Sequence, residues 1–324
     1  MTEPISKEAR NSNILLLVII GVVSVLIRLL MEYNFDRSAL LYVGIPFLIA
    51  ITLLFIERPK SPDNWKRRYV NIIILSLIIM LGSSVILFEG FLCVVMFMPI
   101  YFFIVLLMFL LEAFSQYRMR KNQGKTYTHV LPLIIICCAF EGVIPELSFD
   151  REYEVVSEKI ISANIDDIKQ QLKQPMELDI SRHWLLTLFP MPYDIKAGTL
   201  VAGDIHTINF RYHRWFVTNT HEGSMKLEIS QVEDNYIRTR FVEDTSYISN
   251  YLKLYGTEIY LTPVENNKTK VTLKIKYQRL LDPVWYFGPL QEYAIGKSAQ
   301  FLLDEVITPK ASATNSSVNS GSKV

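Results

Sequence analysis

Cysteine is scarce in this chain, and none lies in the part of the sequence that looks water-soluble. The three cysteines, Cys93, Cys137 and Cys138, all fall inside long apolar runs. A soluble domain after residue 150 therefore contains neither a disulfide nor a thiolate metal site. We interpret the adjacent Cys137 and Cys138 as apolar packing residues rather than acylation sites.

The chain also lacks an excess of charge of either sign. It has 33 Lys and Arg against 32 Asp and Glu, a formal net charge of +1. This balance argues against nucleic acid as a partner, and the local basic clusters are better explained by membrane topology. Half of the residues are apolar, and the mean hydropathy of +0.24 is high for a wholly water-soluble chain.

Motifs that carry chemistry are missing as well. The sequence contains no HExxH, no CxxC and no Gly-x-Ser-x-Gly. The stretch 198–203 has two glycines, but a phosphate-binding loop would need a following helix and a Lys-Ser/Thr pair. We therefore predict no cofactor, no metal and no catalytic residue. The sequence does not decide whether the protein is an enzyme, but it favours a protein without catalytic activity.

The histidines give only a weak hint of a site. Asp204, His206 and His213 lie near one another in the sequence. A spacing of seven residues puts the two histidines on opposite faces of an extended strand, because side chains alternate along it. A shared metal or acid–base site is thus not favoured.

Five apolar runs dominate the first 144 residues, at about 14–31, 38–56, 69–88, 91–114 and 129–144. A bilayer core about 30 Å thick takes roughly 20 apolar residues as a helix. The first four runs meet this length, and they predict an all-α transmembrane bundle of four or five helices. The fifth is shorter and is interrupted by Pro132 and Glu141, so an interfacial or re-entrant segment is the alternative.

Basic residues in the connectors predict the orientation of this bundle. The connector 57–68 holds five basic residues, and Arg118, Arg120, Lys121 and Lys125 follow the fourth run. Because Lys and Arg are retained on the cytoplasmic side, residues 1–13 are predicted to be cytoplasmic. A fifth span would then carry the following domain out of the cytoplasm. If the fifth run does not cross, the domain is cytoplasmic.

From residue 151 the pattern changes to that of an α+β domain, which is predicted to span 151–308. The Ser/Asn-rich tail at 309–324 is expected to be disordered. A strand is predicted at 153–161, and a helix follows at 165–172 with Asn164 as its cap. A short helix at 182–188 is possible before Pro190 and Pro192, which would stop it. Strands are then predicted at 199–202, 204–211, 225–229, 236–241, 254–262 and 270–277, before a helix between 284 and 306 that Asp282 would cap and Pro283 would begin.

This element order resembles the helix-grip fold of the START-like or SRPBCC superfamily. That group includes lipid-transfer START domains, polyketide cyclases and dehydratases, and birch-pollen-allergen-like proteins. The resemblance covers roughly 151–307, and its carriers are the segments 155–161, 165–168, 198–203, 261–263 and 269–271 with the terminal helix. The exit of the first strand at Ala163-Asn164 departs from the family pattern because it has no proline.

The resemblance implies an antiparallel sheet wrapped around one long C-terminal helix, with an apolar cavity between them. Some bacterial members carry several spans before the domain, so it also implies a multi-pass protein of the bacterial cytoplasmic membrane. The residues expected to line the cavity are Ile208, Phe210, Leu227, Ile229, Ile237, Phe241, Ile259, Leu261, Leu273, Ile275, Trp285, Tyr293 and Phe301.

Three functions remain open at this point. The first is a membrane-anchored domain that binds a lipid or another hydrophobic small molecule, with membrane lipids as further partners. The second is a cyclase or dehydratase acting in the same cavity, which would require an inward acid or base. The third is a scaffold that contacts a protein partner, which the sequence does not identify. A superfamily of this kind hosts all three roles, so the fold cannot separate them.

Overall fold

The computed structural model describes residues 67, 69–75, 77–78, 91–120, 141–142, 148–178, 186, 189–215 and 218–309. The predicted runs 14–31 and 38–56, most of 129–144 and nearly all of the tail 309–324 lie outside the described residues, and so does most of the possible helix at 182–188. Within the described segments, no helix was identified as long and apolar enough to cross a membrane.

The fourth apolar run forms helix α1, Phe91–Arg120, with Pro99 inside it. Residues 69–75 of the third run are also helical. The two segments pack together through a buried cluster that includes Ile72, Tyr101 and Phe109. Among the described side chains of α1, Phe103, Leu106 and Leu110 are apolar and exposed, so these contacts do not bury all of its apolar surface.

The C-terminal region is an antiparallel sheet with helices before and after its main hairpins. The strands are β1 Glu152–Ile161, β2 Met176–Glu177, β3 Met191–Lys196, β4 Ile205–Trp215, β5 Thr218–Val232, β6 Tyr236–Asp244, β7 Leu252–Val264 and β8 Lys268–Arg279. The helices are α2 Ile165–Leu172, the 3-10 turn Tyr247–Asn250, α3 Val284–Phe301 and the π-helical segment Leu302–Ile307.

The strand order is β1-β8-β7-β6-β5-β4-β3-β2, so β2 to β8 are sequential neighbours and β1 joins the last strand. At one end of the sheet, α3 packs against β1 and β8. At the other end, Val306 of the π-helical segment packs with Leu178 and with Ile195 of β3. Because both ends of the sheet contact the same C-terminal helical stretch, the sheet curls around it. This is the predicted helix-grip architecture.

Alternation along the strands builds the core. On β8, every second residue is buried, and Val271, Leu273 and Ile275 face α3 together with Ile237 of β6. The facing side of α3 contributes Ile295 and Ala299. Burying apolar surface in this way stabilises the fold by about 25 cal/mol per Å² removed from water.

The other face of the same strands carries charged side chains in cross-strand pairs. Lys276 Nζ lies 2.8 Å from Glu258 Oε1, and Arg240 Nη2 lies 2.7 Å from Glu228 Oε2. The hydrogen bond from Lys276 holds the pKa of the Glu258 carboxyl below its usual value. Exposed pairs add little stability individually, but a one-residue slip would turn these charges toward the core, so they help to fix the register.

Several expectations needed correction. Residues 199–202 form a loop rather than a strand, and β4 begins only at Ile205. Pro192 was expected to end a helix, but it lies in β3 at an irregularity in the pairing with β4, where a missing N–H is tolerated. Pro283, not Asp282, is the residue that caps α3. Asn164 caps α2 as predicted, because its side chain accepts from the Asp167 amide at 2.8 Å.

We expect Leu273→Ala to lower the free energy of unfolding by about 2–5 kcal/mol, because the Leu273 side chain of β8 is enclosed in the core against α3. Val264→Ala, on an exposed part of β7, should change it by less than about 0.5 kcal/mol. Urea titration of the purified chain, followed by far-UV circular dichroism, measures both. Equal effects of the two substitutions would contradict the placement of the core.

Candidate functional site

The inner face of the curled sheet, opposite the C-terminal helix, is the surface where a ligand could be enclosed. Six of the residues predicted to line a cavity belong to the packed core on that face. They are Ile229, Ile237, Ile259, Leu261, Leu273 and Ile275. Because these six side chains are tightly buried, they form the packed part of the inner face.

The remaining inner residues lie toward the middle strands and are less enclosed. Phe210 of β4 is buried, whereas Ile208, Leu227 and Phe241 are only partly buried. Phe301, the last residue of α3, is also partly buried, but it is not among the residues that this helix buries against the sheet. Leu227 and Phe241 lie directly opposite each other in the pairing of β5 with β6. The apolar surface that stays accessible is therefore concentrated on β4, β5 and β6.

Two predicted residues, Trp285 and Tyr293, do not face inward. They are 48% and 50% exposed on the outer side of α3. Trp285 lies beside Phe103 of α1, with 6.4 Å between ring centroids, and Lys297 Nζ lies 5.6 Å from the centroid of the Tyr293 ring. The buried residues of α3 are instead Phe287, Gln291, Ile295 and Ala299, because the helix is rotated relative to the expected phase.

Polar groups also occupy the inner face, which the sequence did not indicate. His206 is buried opposite Leu227, and its Nε2 lies 3.1 Å from the Thr199 carbonyl oxygen. Asp244 lies opposite the buried Met225. Burial raises the pKa of the Asp244 carboxyl, whose Oδ1 accepts from the Ser246 amide and hydroxyl while Oδ2 is buried without a partner.

The inner face of β8 changes from apolar to polar near its end. After Leu273 and Ile275, the same alternation brings Tyr277 and Arg279 inward, and both are 0% exposed. A fully buried arginine is rare, because removing a guanidinium from water is costly unless it is paired. The inward position of Arg279 could have been predicted from the sequence by extending the alternation of inward residues on β8 from Tyr277 to Arg279.

Arg279 is held by a buried ion-pair network at the start of α3. Its Nη1 donates to Asp282 Oδ1 and to the Leu281 carbonyl, and Asp282 also pairs with Arg151. Glu141 Oε1 lies 3.8 Å from Arg279 Nη2 and accepts from the Val284 amide at 2.9 Å. Glu141, from the fifth apolar run, thus satisfies an amide that the capping residue of α3 leaves free.

The first turn of α3 also contacts α1. The Tyr286 hydroxyl donates to the Met96 carbonyl at 2.5 Å, three residues before Pro99 in the same helix. Burial raises the pKa of Tyr286 to about 12, so the hydroxyl stays a donor. The N-terminal end of α3 is therefore one part of the domain that contacts the apolar region, and β4 also contacts α1.

A separate groove of about 630 Å³ lies among β5, β6 and β7, where β7 bends between Leu254 and Gly256. Its lining is mainly polar and includes Arg238, Arg240 and Glu258. Of the predicted cavity residues, only Ile229 and Phe241 border it. The charged side chains around it are largely paired across the strands, so this groove does not provide the apolar cavity that was predicted.

Metal binding finds no support in the geometry. In the ranges given above, no three His, Cys, Asp or Glu side chains come together as a metal site. His206 is engaged with the Thr199 carbonyl, and Asp204 Oδ2 accepts from the Thr199 hydroxyl. These contacts close the loop before β4.

No protein-family model matches the chain, and no curated protein matches it. Solved structures that resemble it include Ara h 8.0201, with 8% identity, a TM-score of 0.29, and coverage of 48% of this chain and 99% of the other. A START superfamily protein from Mycobacterium smegmatis has 10% identity, a TM-score of 0.29, and coverage of 47% and 92%. Norcoclaurine synthase from Thalictrum flavum, in complex with dopamine and hydroxybenzaldehyde, has 15% identity, a TM-score of 0.26, and coverage of 48% and 88%.

The class that the strand order and the enclosed helix define is a helix-grip domain. Its interior is apolar on β6 to β8, more accessible on β4 to β6, and polar where β8 meets α3.

Asp282→Ala should lower the free energy of unfolding by about 3–5 kcal/mol, because it leaves the buried Arg279 without its main counter-charge. The matched control is Asp304→Ala, which removes an exposed carboxylate 2.6 Å from Lys159 and should cost about 0–1 kcal/mol. Thermal and urea unfolding of the full chain compare the two. Similar losses for both would show that the network around Arg279 does not stabilise the domain.

Proposed function

We propose that the domain binds a hydrophobic small molecule, such as a lipid, along the inner face of β4 to β6. The observation that carries this proposal is the way the sheet encloses its interior. Both ends of the sheet contact the C-terminal helical stretch, while Leu227 and Phe241 between them remain only partly buried. A concave, mostly apolar surface is the usual form of a small-molecule site.

Binding at such a surface depends mainly on apolar contact. Each Å² of apolar surface removed from water contributes about 25 cal/mol, and a few polar groups set the orientation of the guest. The inner residues that remain accessible on these strands include Ile208, Leu227 and Phe241, which are all apolar. This composition favours a carrier or sensor of hydrophobic molecules over a site for sugars or nucleotides.

We propose further that the N-terminal apolar runs anchor the domain in a membrane, with its lipids as partners. The support is the length of the runs and the alternation of basic connectors. In addition, Phe103, Leu106 and Leu110 of α1 are exposed apolar side chains. In this arrangement the chain is a multi-pass protein of a bacterial cytoplasmic membrane, and the domain lies outside the cytoplasm.

A second candidate function is catalysis of the cyclase or dehydratase type in the same interior. The observation that favours it is Asp244, an inner-face carboxyl with a pKa raised by burial and an oxygen that has no partner. Such a carboxyl could act as a general acid. Binding is preferred because the other inner polar group on these strands, His206, is already engaged with a backbone carbonyl.

Leu227→Trp should abolish ligand binding with little loss of stability, because the larger ring would occupy the space left for the guest. The measurement is native mass spectrometry of the purified full chain, followed by lipid extraction, which counts the hydrophobic molecules that co-purify. The control is Ile205→Trp, an exposed position on the outer face of the neighbouring strand, which should leave binding unchanged.

If the interior is filled, the result will differ in a defined way. Leu227→Trp would then destabilise the domain by about 1–3 kcal/mol through overpacking, and the parent protein would carry no bound molecule. That outcome would favour the scaffold function.

The membrane proposal predicts the side on which each part of the chain lies. A reporter fused after Lys310 should be extracytoplasmic, and one inserted between Arg67 and Tyr69 should be cytoplasmic, because basic connectors stay inside. Paired alkaline phosphatase and fluorescent protein fusions read the two sides. A cytoplasmic signal at Lys310 would mean that the run 129–144 does not cross the membrane.

A further inference from the structure

Several buried polar atoms at the junction of β8 and α3 have no hydrogen-bond partner. They are the Tyr277 hydroxyl, Nε and Nη2 of Arg279, and Oε1 of Gln291. The three residues are 0%, 0% and 5% exposed. Native proteins leave few buried polar atoms unpaired, because each one costs about 1–3 kcal/mol. Three such side chains together therefore need an explanation.

These side chains lie in one place. Tyr277 and Arg279 are two residues apart on the inner face of β8, and the Tyr277 hydroxyl is acted on by the charge of Glu292 and, more weakly, by that of Arg279. Gln291 of α3 donates to the Tyr251 carbonyl at 3.1 Å, and the amide of Leu280 donates to the same carbonyl at 3.2 Å. Gln291 is thus next to the end of β8, and the free polar atoms lie between that strand and α3.

Most of the free atoms are donors. Arg279 offers N–H groups beyond those that bind Asp282 and the Leu281 carbonyl. Burial raises the pKa of the Tyr277 hydroxyl, so it keeps its proton. An oxygen acceptor would satisfy these donors, and a carboxylate would form charge-assisted bonds, which are stronger than neutral ones. Glu141, 3.8 Å from Arg279 Nη2, lies beyond hydrogen-bond distance.

The register connects this polar end to the accessible apolar surface. On β7, Leu254 lies opposite Tyr277. The pairing of β7 with β6 ends at Gly256 and Arg240, and Phe241 is the next residue of β6. Phe241 in turn lies opposite Leu227 on β5. Three strand spacings, about 14 Å, separate β8 from β5. A long-chain fatty acid spans this distance.

We propose that Tyr277 and Arg279 hold the carboxylate of an amphipathic carboxylic acid, whose apolar chain lies across β7 and β6 toward Leu227. This inference rests on the proposed binding function and names its ligand class. Arg279 and Tyr277 donate to the two carboxylate oxygens, and Gln291 lines the same end. The head group thereby lies at the junction with α3, and the start of that helix contacts the apolar region.

The test uses the purified full chain in detergent and two probes that differ only at the head group, palmitic acid and methyl palmitate. Native mass spectrometry gives the bound fraction of each over a concentration series. The chain should bind palmitic acid about tenfold more tightly than the ester, because a hydrogen bond to a charged group is lost in the ester. Tyr277→Phe should weaken palmitic acid about tenfold and leave the ester unchanged.

Tyr277→Phe is suited to this test because the hydroxyl has no internal partner to lose, so the variant should unfold at the same temperature as the parent or a higher one, since it removes an unpaired buried group. Tyr260→Phe, which removes a hydroxyl bonded to Glu258 on the outer face, is the control and should bind both probes like the parent. Equal binding of acid and ester, or an unchanged Tyr277→Phe, would overturn the head-group site while leaving hydrophobic binding intact. Binding of neither probe would overturn the proposed function and this inference with it.

Discussion

The pairing of the first strand with the last holds this domain together. Val155 of β1 lies opposite Ile275 of β8, which brings the two ends of the domain side by side. Because α3 follows β8 directly, it returns across the inner face and packs on both strands. The sheet can then close around the helix, and the β2–β3 edge meets its far end. Without the β1–β8 pairing, the helix would lose β1, one of the two strands that it packs against most extensively.

A second consequence of this closure is the polar junction where β8 ends and α3 begins. The strand must leave the sheet there, and its last inward residue, Arg279, is enclosed by the helix that follows. Buried charge is tolerated because Asp282 pairs with it and with Arg151. Glu141 joins the same network and binds the first turn of α3. The folded domain and the apolar region thus share one set of polar contacts.

Local patterns predicted most of the domain, because strand alternation and helix capping depend on near neighbours. The hairpin of β7 and β8, the cap at Asn164 and the terminal helix were all recognised from such patterns. The strand at 191–196 was missed because Pro190 and Pro192 were interpreted as the end of a short helix. Pro192 is tolerated in the strand because it lies at an irregularity in the pairing with β4. Trp285 and Tyr293 were assigned inward because helical spacing gives the period of a face but not its rotation.

The sequence by itself determined the division into an apolar region and an α+β domain, the order of the elements, and the apolar side of each strand. It could do so because hydrophobic periodicity and connector composition are properties of short segments. Only the tertiary structure decided which strand ends meet, which side of α3 faces the sheet, and that Tyr277, Arg279 and Gln291 share one buried place. These facts depend on contacts between residues far apart in the chain, which no local pattern records.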